Sequence, residues 1–107
     1  MEISKNDWRL FREKLPEWQE NYMDRLINEY ISLLNKEKAS SEKYWELEKR
    51  INSDKHSHGV SVQFRKSDML SIILRLISDD IICYDDLSEF SDDLRDTVKY
   101  IADRNLF

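Results

Sequence analysis

The sequence predicts an all-α fold, a compact bundle of four or five helices that forms a single domain over residues 1–107. The chain contains only one Gly and one Pro, whereas a fold rich in sheet needs more turn-forming residues than that. Apolar residues make up 40% of the chain and aromatic residues 11%, which is enough to bury one core. Several segments also repeat large apolar residues at spacings of three and four, as amphipathic helices do.

The first helix is expected to be short and to begin at Ser4. This residue is followed three positions later by Asp7, and such a pair is typical of a helix start. Pro16 lacks the backbone N–H and biases the preceding residue away from helix, so we expect a break or kink near Leu15. A longer second helix should then run from Glu17 to about Asn35. Its main apolar line consists of Trp18, Tyr22, Leu26, Tyr30 and Leu33, with Met23, Ile27 and Leu34 beside it.

The third helix and the segment after it are predicted from residues 40–64. Ser40 and Ser41 make a good N-cap, and the helix should fade between Ser53 and Gly59. Its apolar line consists of Tyr44, Leu47 and Ile51. Residues 60–64 alternate like a short strand, but no partner strand is evident and a lone strand leaves its backbone groups unpaired. We therefore expect either an extended connector or the first turns of the next helix.

The next helix should reach about Ser78 and be the most buried, since its residues from Met69 onward are apolar nearly all round. Asp79 and Asp80 then end it with the turn geometry that Asp tolerates. A short turn or helix is expected to end near Phe90. Ser91, followed by two acidic residues, is a capped start for the last helix.

The chain divides its charge unevenly. Residues 1–66 carry 13 Lys/Arg and 12 Asp/Glu, whereas residues 67–107 carry 4 and 10, and eight of these ten acids lie between residues 79 and 96. An acidic surface attracts basic partners and disfavours nucleic acid, because phosphates bind clustered Lys and Arg. The candidate partner-binding residues in this region are Asp79, Asp80, Asp85, Asp86, Glu89, Asp92, Asp93 and Asp96.

Two interpretations of these acids stay open. In the first, they are turn and cap residues, acids that favour a helix start electrostatically, and parts of a solvated surface. In the second, they form a docking surface for a basic protein and stand in for the phosphates of a nucleic acid on an enzyme's binding groove. The second interpretation explains why the acidity is concentrated within one third of the chain.

The aromatic residues of the first 45 positions offer a second candidate surface. Most of them are expected in the core, where large rings contribute most to burial. Trp45 is the exception that we select as a partner-binding residue, because it lies one position off the apolar line of its helix. A homo-oligomeric module that uses exposed aromatics is therefore an alternative to acidic docking.

No catalytic, cofactor or metal motif is evident, so we expect a protein that is not an enzyme. His56 and His58 supply two potential ligands, whereas a structural zinc site needs four. The acidic pairs do not make a calcium-binding EF-hand loop, since apolar residues occupy ligand positions and the central Gly is missing. Arg65 and Lys66 are the best cationic spot, but two charges are too few for strong nucleic-acid binding. A weakly nucleic-acid-associated protein is the third alternative.

The single cysteine and the amino-terminal residues indicate a compartment. Cys83 has no second cysteine with which to form an internal disulfide, and we expect it to be a small buried apolar side chain. Residues 1–7 lack the apolar run of a signal peptide, and no stretch approaches 18 apolar residues. We therefore expect a cytoplasmic protein with no membrane partner.

Three stretches carry a resemblance to a known family: residues 4–12 (SKNDWRLFR), residues 45–51 (WELEKRI) and residues 86–94. Together they resemble a family of short, helical, uncharacterised proteins from clostridia-like bacteria, and the resemblance spans nearly the whole chain. Some relatives carry a multidrug-transporter label, which this chain contradicts because it has no membrane-spanning segment. The resemblance implies a bacterial cytoplasmic domain and identifies no functional residues.

The sequence thus favours a non-enzymatic interaction or regulatory module that docks on a basic protein through its acidic region. A sharper version of this hypothesis is an inhibitor of a nucleic-acid-processing enzyme, of the anti-defence type. The alternatives are a homodimer that uses exposed aromatics and a weak nucleic-acid binder. No cofactor is expected.

Overall fold

The structure is a computed structural model that describes residues 2–104. Within these residues the chain forms four α-helices and no strand, so the predicted all-α fold is confirmed. The α-helices are α1 (Lys5–Leu34), α2 (Ser40–Asp54), α3 (Met69–Ser78) and α4 (Asp92–Asp103), and two 3₁₀ helices cover Lys66–Asp68 and Tyr84–Leu87. No helix among the described residues is both long enough and apolar enough to span a membrane.

The chain divides into two compact units. The first unit combines residues 1–18 with residues 63–107, and the second unit consists of residues 19–62. Helix α1 contributes its first part to the first unit and its remainder to the second. The single-domain assignment made from the sequence stays a prediction.

The expected helix break near Leu15 is wrong. Helix α1 is continuous from Lys5 to Leu34 with Pro16 inside it. A proline in a helix interior removes one hydrogen bond and crowds the preceding turn, at a cost of about 3 kcal/mol. The apolar side chains on either side of it offset that cost, because Phe11, Leu15 and Trp18 are all buried at helical spacing.

Aromatic rings and α3 form the core of the first unit. Phe11 is fully buried and lies edge-on to Phe64, with ring centroids 5.1 Å apart. Trp18 packs near Phe90 at a centroid distance of 6.2 Å. Helix α3 is the most buried helix, as predicted, and its buried residues are Met69, Ile72, Ile73, Leu74 and Leu76.

The end of α3 follows the sequence prediction closely. Asp80 has a positive φ of 57°, the left-handed geometry that commonly ends a helix. Its N–H donates to the carbonyl of Ile77 at 3.0 Å, and the N–H of Ile81 donates to the carbonyl of Leu76 at 2.9 Å. These two bonds define a Schellman motif, which satisfies carbonyls that the helix itself leaves free. Ile82 then returns to the core.

Two further expectations need correction, and a third is decided between its alternatives. Cys83 is exposed rather than buried, because it caps the 3₁₀ helix Tyr84–Leu87 while its neighbours Ile82 and Leu87 fill the core. Helix α2 begins at Ser40 with Ala39 as its N-cap residue, so neither serine is the cap. Residues 60–64 form the end of a turn and a connector, which is the first of the two alternatives expected for them.

The second unit consists of the carboxyl-terminal part of α1, a short connection and α2, which turns back beside α1. The turn after α2 completes this unit, and we call residues 19–62 the hairpin. The guanidinium of Arg50 donates to the carboxylate of Glu29 at 2.9 Å, and the hydroxyl of Tyr30 donates to the carboxylate of Asp54 at 2.5 Å. Polar bonds between long side chains thus join the two helices.

Candidate protein-binding surfaces

One side of the hairpin exposes large apolar side chains. Ile27, Ile31 and Leu34 lie at spacings of four and three, so they share one side of α1. Tyr44 and Ile51, seven positions apart, share one side of α2. These five side chains are 42 to 65% exposed, and we call them the hairpin apolar surface.

The two lines of the hairpin apolar surface meet in a groove of about 220 Å³. Ile27 of α1 and Ile51 of α2 both line it, together with Met23, Leu26, Tyr30, Asp54, Lys55 and Val60. A second depression on α2 is lined by Tyr44, Leu47 and Ile51 with two polar neighbours. The exposed side chains therefore form one connected apolar face rather than isolated surface residues.

The hairpin buries very little of its own apolar surface. In residues 19–62 only two large apolar side chains, Leu26 and Leu33, are buried, and no residue of α2 is buried at all. Helices in proteins gain most of their stability by packing an apolar face. The apolar face of α2 lacks such packing in the isolated chain.

A polar cluster that includes two residues of the groove lining joins the two helices. The carboxylate of Asp54 accepts a hydrogen bond from Tyr30 and lies 3.5 Å from the guanidinium of Arg50. Burial and the hydrogen bond to the Asp54 carboxylate raise the pKa of Tyr30 to about 12, since both disfavour the tyrosinate anion. The hydrogen bond to Glu29 raises the pKa of Arg50. Tyr30 is thus a hydrogen-bond donor and not a base near neutral pH.

Trp45 is exposed, as the sequence analysis expected of this candidate. Its ring is 63% accessible and meets the ring of Tyr44 edge-on, with centroids 4.9 Å apart. Tyr44 was expected in the core and is instead 65% exposed. This expectation was wrong because the described residues leave Tyr44, at the start of the apolar line of α2, mostly uncovered.

All eight acidic candidates between residues 79 and 96 are exposed and belong to the first unit. Four of them have structural partners. Asp79 pairs with Arg75 at 3.0 Å, Glu89 with Lys14 at 3.2 Å, and Asp92 with Arg95. The carboxylate of Asp86 accepts the backbone N–H of Cys83 at 2.8 Å. Capping and ion pairing therefore account for part of the acidity.

Three of the eight acids, Asp85, Asp93 and Asp96, form no side-chain hydrogen bond or ion pair within the part of the chain that the structure describes. They are the members of the set that remain free for an external partner. The first unit carries 14 Asp/Glu against 10 Lys/Arg, and the second unit 8 against 7. The acidic character of the protein thus belongs to the first unit, and the hairpin is close to neutral.

The described residues contain no group of three or more His, Cys, Asp or Glu side chains arranged to hold a metal ion. His56 and His58 lie in the turn that follows α2, and the carbonyl of His58 accepts a hydrogen bond from Gln19 at 3.0 Å.

Sequence reasoning missed the hairpin apolar surface, although its signal was present. The isoleucines at 27 and 31 and the leucine at 34 form an apolar line separate from the line of Leu26 and Leu33. Two lines on one helix require two packing partners, and the chain supplies too few.

Compared with protein-family models, curated proteins and solved structures, the chain matches none of them, so membership of the clostridial family stays a prediction.

Proposed function

We propose that this protein is a non-enzymatic interaction module that binds another protein through the hairpin apolar surface. The observation that carries the proposal is the half exposure of five large apolar side chains on one connected face. Singly exposed apolar residues are ordinary, but a contiguous apolar patch usually marks an interaction site. The occupant is an apolar helical surface of another chain, because helices pack ridges into the grooves of other helices.

The size of the surface supports this proposal. Five large side chains that are about half exposed present an apolar area on the order of several hundred Å², which is the size of patch that marks interaction sites. A standard interface buries about 800 Å² on each partner, of which about 60% is apolar. The hairpin apolar surface therefore supplies the apolar area that an interface of ordinary size requires.

Photo-crosslinking in the living host tests this function. A photoreactive residue is placed at Ile51 in one variant and at Tyr100 in a matched control, because Tyr100 is similarly exposed on α4 in the first unit. We expect a clearly higher yield of protein crosslinks from the photoreactive residue at position 51 than from the one at position 100. Equal yields at both positions, or no protein adduct from the Ile51 position, would show that the surface is not a docking site.

A second candidate function is docking of the acidic region on a basic protein, including a nucleic-acid-processing enzyme that the protein would inhibit. The observation that favours it is the exposure of all eight acids, three of them without a partner. Binding of this kind weakens steeply as salt rises, whereas apolar docking does not.

The two candidates are separated by neutralising only the acids that have no structural partner. One variant carries Asp85→Asn, Asp93→Asn and Asp96→Asn. Its charge-matched control carries Glu17→Gln, Glu37→Gln and Glu42→Gln, three exposed acids outside residues 79–96. Loss of a basic partner from the first variant alone, with the partner kept by the control, would support acidic docking. Retention by both variants would exclude it.

A further inference from the structure

We infer that the chain docking on the hairpin apolar surface is a second copy of this protein, so that two hairpins form a four-helix bundle. This inference rests on the proposed function and names its partner. Each hairpin contributes two helices with apolar lines on the same side, and two such sides face to face enclose the core that neither hairpin has alone. Four-helix bundles pack their helices around such shared apolar lines.

The need for a permanent partner points to a second copy. Leu26 and Leu33 are the only large apolar side chains of the hairpin that are buried, and the residues of α2 are at most half-buried. A pair of helices with so small a core is marginal by itself. A partner that is present whenever the chain is made satisfies this need at all times, and an identical chain meets that condition. Two copies related by a two-fold axis then pack their hairpin apolar surfaces against each other, as in most homodimers.

The charges of the two units also favour pairing through the hairpin. The first unit carries a net charge of −4, from 10 Lys/Arg and 14 Asp/Glu, so two copies of it repel each other. The second unit carries a net charge of −1, from 7 Lys/Arg and 8 Asp/Glu. The nearly neutral hairpin allows self-association and offers no attraction to a strongly charged partner.

One set of exposed charges on the hairpin favours a particular orientation of the two copies, although Glu37 lies next to Lys36 and Lys55 lines the groove at the end of the acids. Glu20 and Asp24 are exposed seven positions before Ile27 and Ile31, so they continue the exposed line of α1 toward one end of the hairpin. Lys36 is exposed in the connection at the other end. When the two copies pack with their connections at opposite ends, Lys36 of each copy lies near the acids of the other. With both connections at the same end, the lysines face each other and repel.

The first test is the molecular mass of the purified full chain, measured by analytical ultracentrifugation over a series of concentrations. We expect a monomer–dimer equilibrium that reaches twice the 13.0 kDa of one chain. Ile31→Glu should give a monomer, since it places a charge in the apolar line, and Tyr100→Glu in the first unit should leave the dimer intact. Circular dichroism must show that both variants keep their helices.

A charge exchange tests the orientation independently of folding. Asp24→Lys and Lys36→Glu should each weaken self-association, by about tenfold, because each variant creates two like-charge contacts per dimer. An equimolar mixture of the two variants should instead form a mixed dimer about as tight as that of the wild type, because both contacts become attractive. A substitution that only disturbs the fold of its own chain would not make the mixed dimer tighter than the dimer of either variant alone.

The outcomes separate this inference from the proposed function. A monomer at every concentration, together with crosslinks from Ile51 to a different protein, overturns the second copy and leaves the docking function standing. A dimer that Ile31→Glu does not disturb overturns the hairpin as the dimer surface. If Asp24→Lys and Lys36→Glu pair with each other no more tightly than each pairs with itself, the connections of the two copies do not lie at opposite ends of the dimer.

Discussion

The carboxylate of Asp7 holds the amino terminus of α4 through Ser91. One carboxylate oxygen accepts the backbone N–H of Ser91 at 2.9 Å, and the other accepts its hydroxyl at 2.6 Å. The same hydroxyl oxygen caps α4 by accepting the N–H of Leu94 at 3.2 Å. Asp7 is 1% exposed, so its charge is satisfied by these bonds rather than by water. The start of α1 and the start of α4 are thus fixed by one side chain.

Removing Asp7 should destabilise the first unit strongly. Asp7→Ala leaves two half-buried donors of Ser91 without their acceptors, and we expect the free energy of unfolding to fall by about 2 kcal/mol. Ser91→Ala should cost about 2 kcal/mol through loss of the helix cap. The double variant should lose roughly 1 to 2 kcal/mol less than the sum, because the two residues act through shared bonds. Urea denaturation of the four proteins measures this cycle, and strict additivity would refute the coupling.

Tyr30 should titrate well above the ordinary range of tyrosine. Burial first and the hydrogen bond to Asp54 second raise its pKa to about 12. Because the neutral phenol is favoured in the folded chain, this stabilisation is complete below pH 10 and is lost as the pH rises from about 10 to 12. Asp54→Asn should lower the pKa of Tyr30 but leave it above the ordinary value, since burial persists.

The titration of Tyr30 is isolated by difference. Tyrosinate absorbance is recorded against pH for the wild type and for Tyr30→Phe, and the difference between the curves belongs to this residue. A difference curve centred near the ordinary pKa of tyrosine, about 10, would mean that Asp54 and burial do not act on it. The same shift in Asp54→Asn as in the wild type would exclude the hydrogen bond as a cause.

Pro16 should be a destabilising residue in α1. It lies inside the helix, where it leaves the carbonyl four residues earlier without its hydrogen bond. Pro16→Ala should raise the free energy of unfolding by about 2 kcal/mol, which is the helix penalty of proline less the entropy it removes from the unfolded chain. Chemical denaturation measures the change. A variant no more stable than the wild type would argue against a continuous helix at this position.

Asp80 should tolerate Gly better than Ala. Its φ of 57° is left-handed geometry, which costs an ordinary residue about 1 kcal/mol or more and costs Gly nothing sterically. Asp80→Ala is therefore expected to lower the melting temperature, and Asp80→Gly to lower it less. Thermal unfolding followed by circular dichroism gives the order of the variants. Equal melting temperatures for the two variants would be inconsistent with the Schellman ending of α3.

Local signals in the sequence were sufficient for much of the fold. Ser91 was expected to start the last helix, and its hydroxyl does cap α4. Ser4 was expected to start the first helix, and its hydroxyl accepts the N–H of Asp7 at 3.0 Å. Asp80 was expected in a turn and has the geometry of one. Each of these predictions depends only on a few residues that are close in sequence, so it can be made without knowing the tertiary contacts.

The expectations that failed depend on residues far apart in the chain. Whether Pro16 breaks a helix is decided by the burial of the residues around it, which involves partners from the second half of the sequence. The carboxylate of Asp7 bonds a residue 84 positions away, and no local pattern reveals that contact. Tyr44 and Ile51 follow a helix pattern that normally means core, but residues 2–104 leave both of them about half exposed or more.

The claim that a second chain covers the hairpin apolar surface is tested most directly by backbone hydrogen exchange at two protein concentrations. Helix α3 is buried within its own unit, whereas α2 buries none of its residues. We expect the amides of α2 to exchange at least about tenfold faster after dilution below the dissociation constant, and those of α3 to keep their rates. Protection of α2 that is the same at both concentrations would contradict the account.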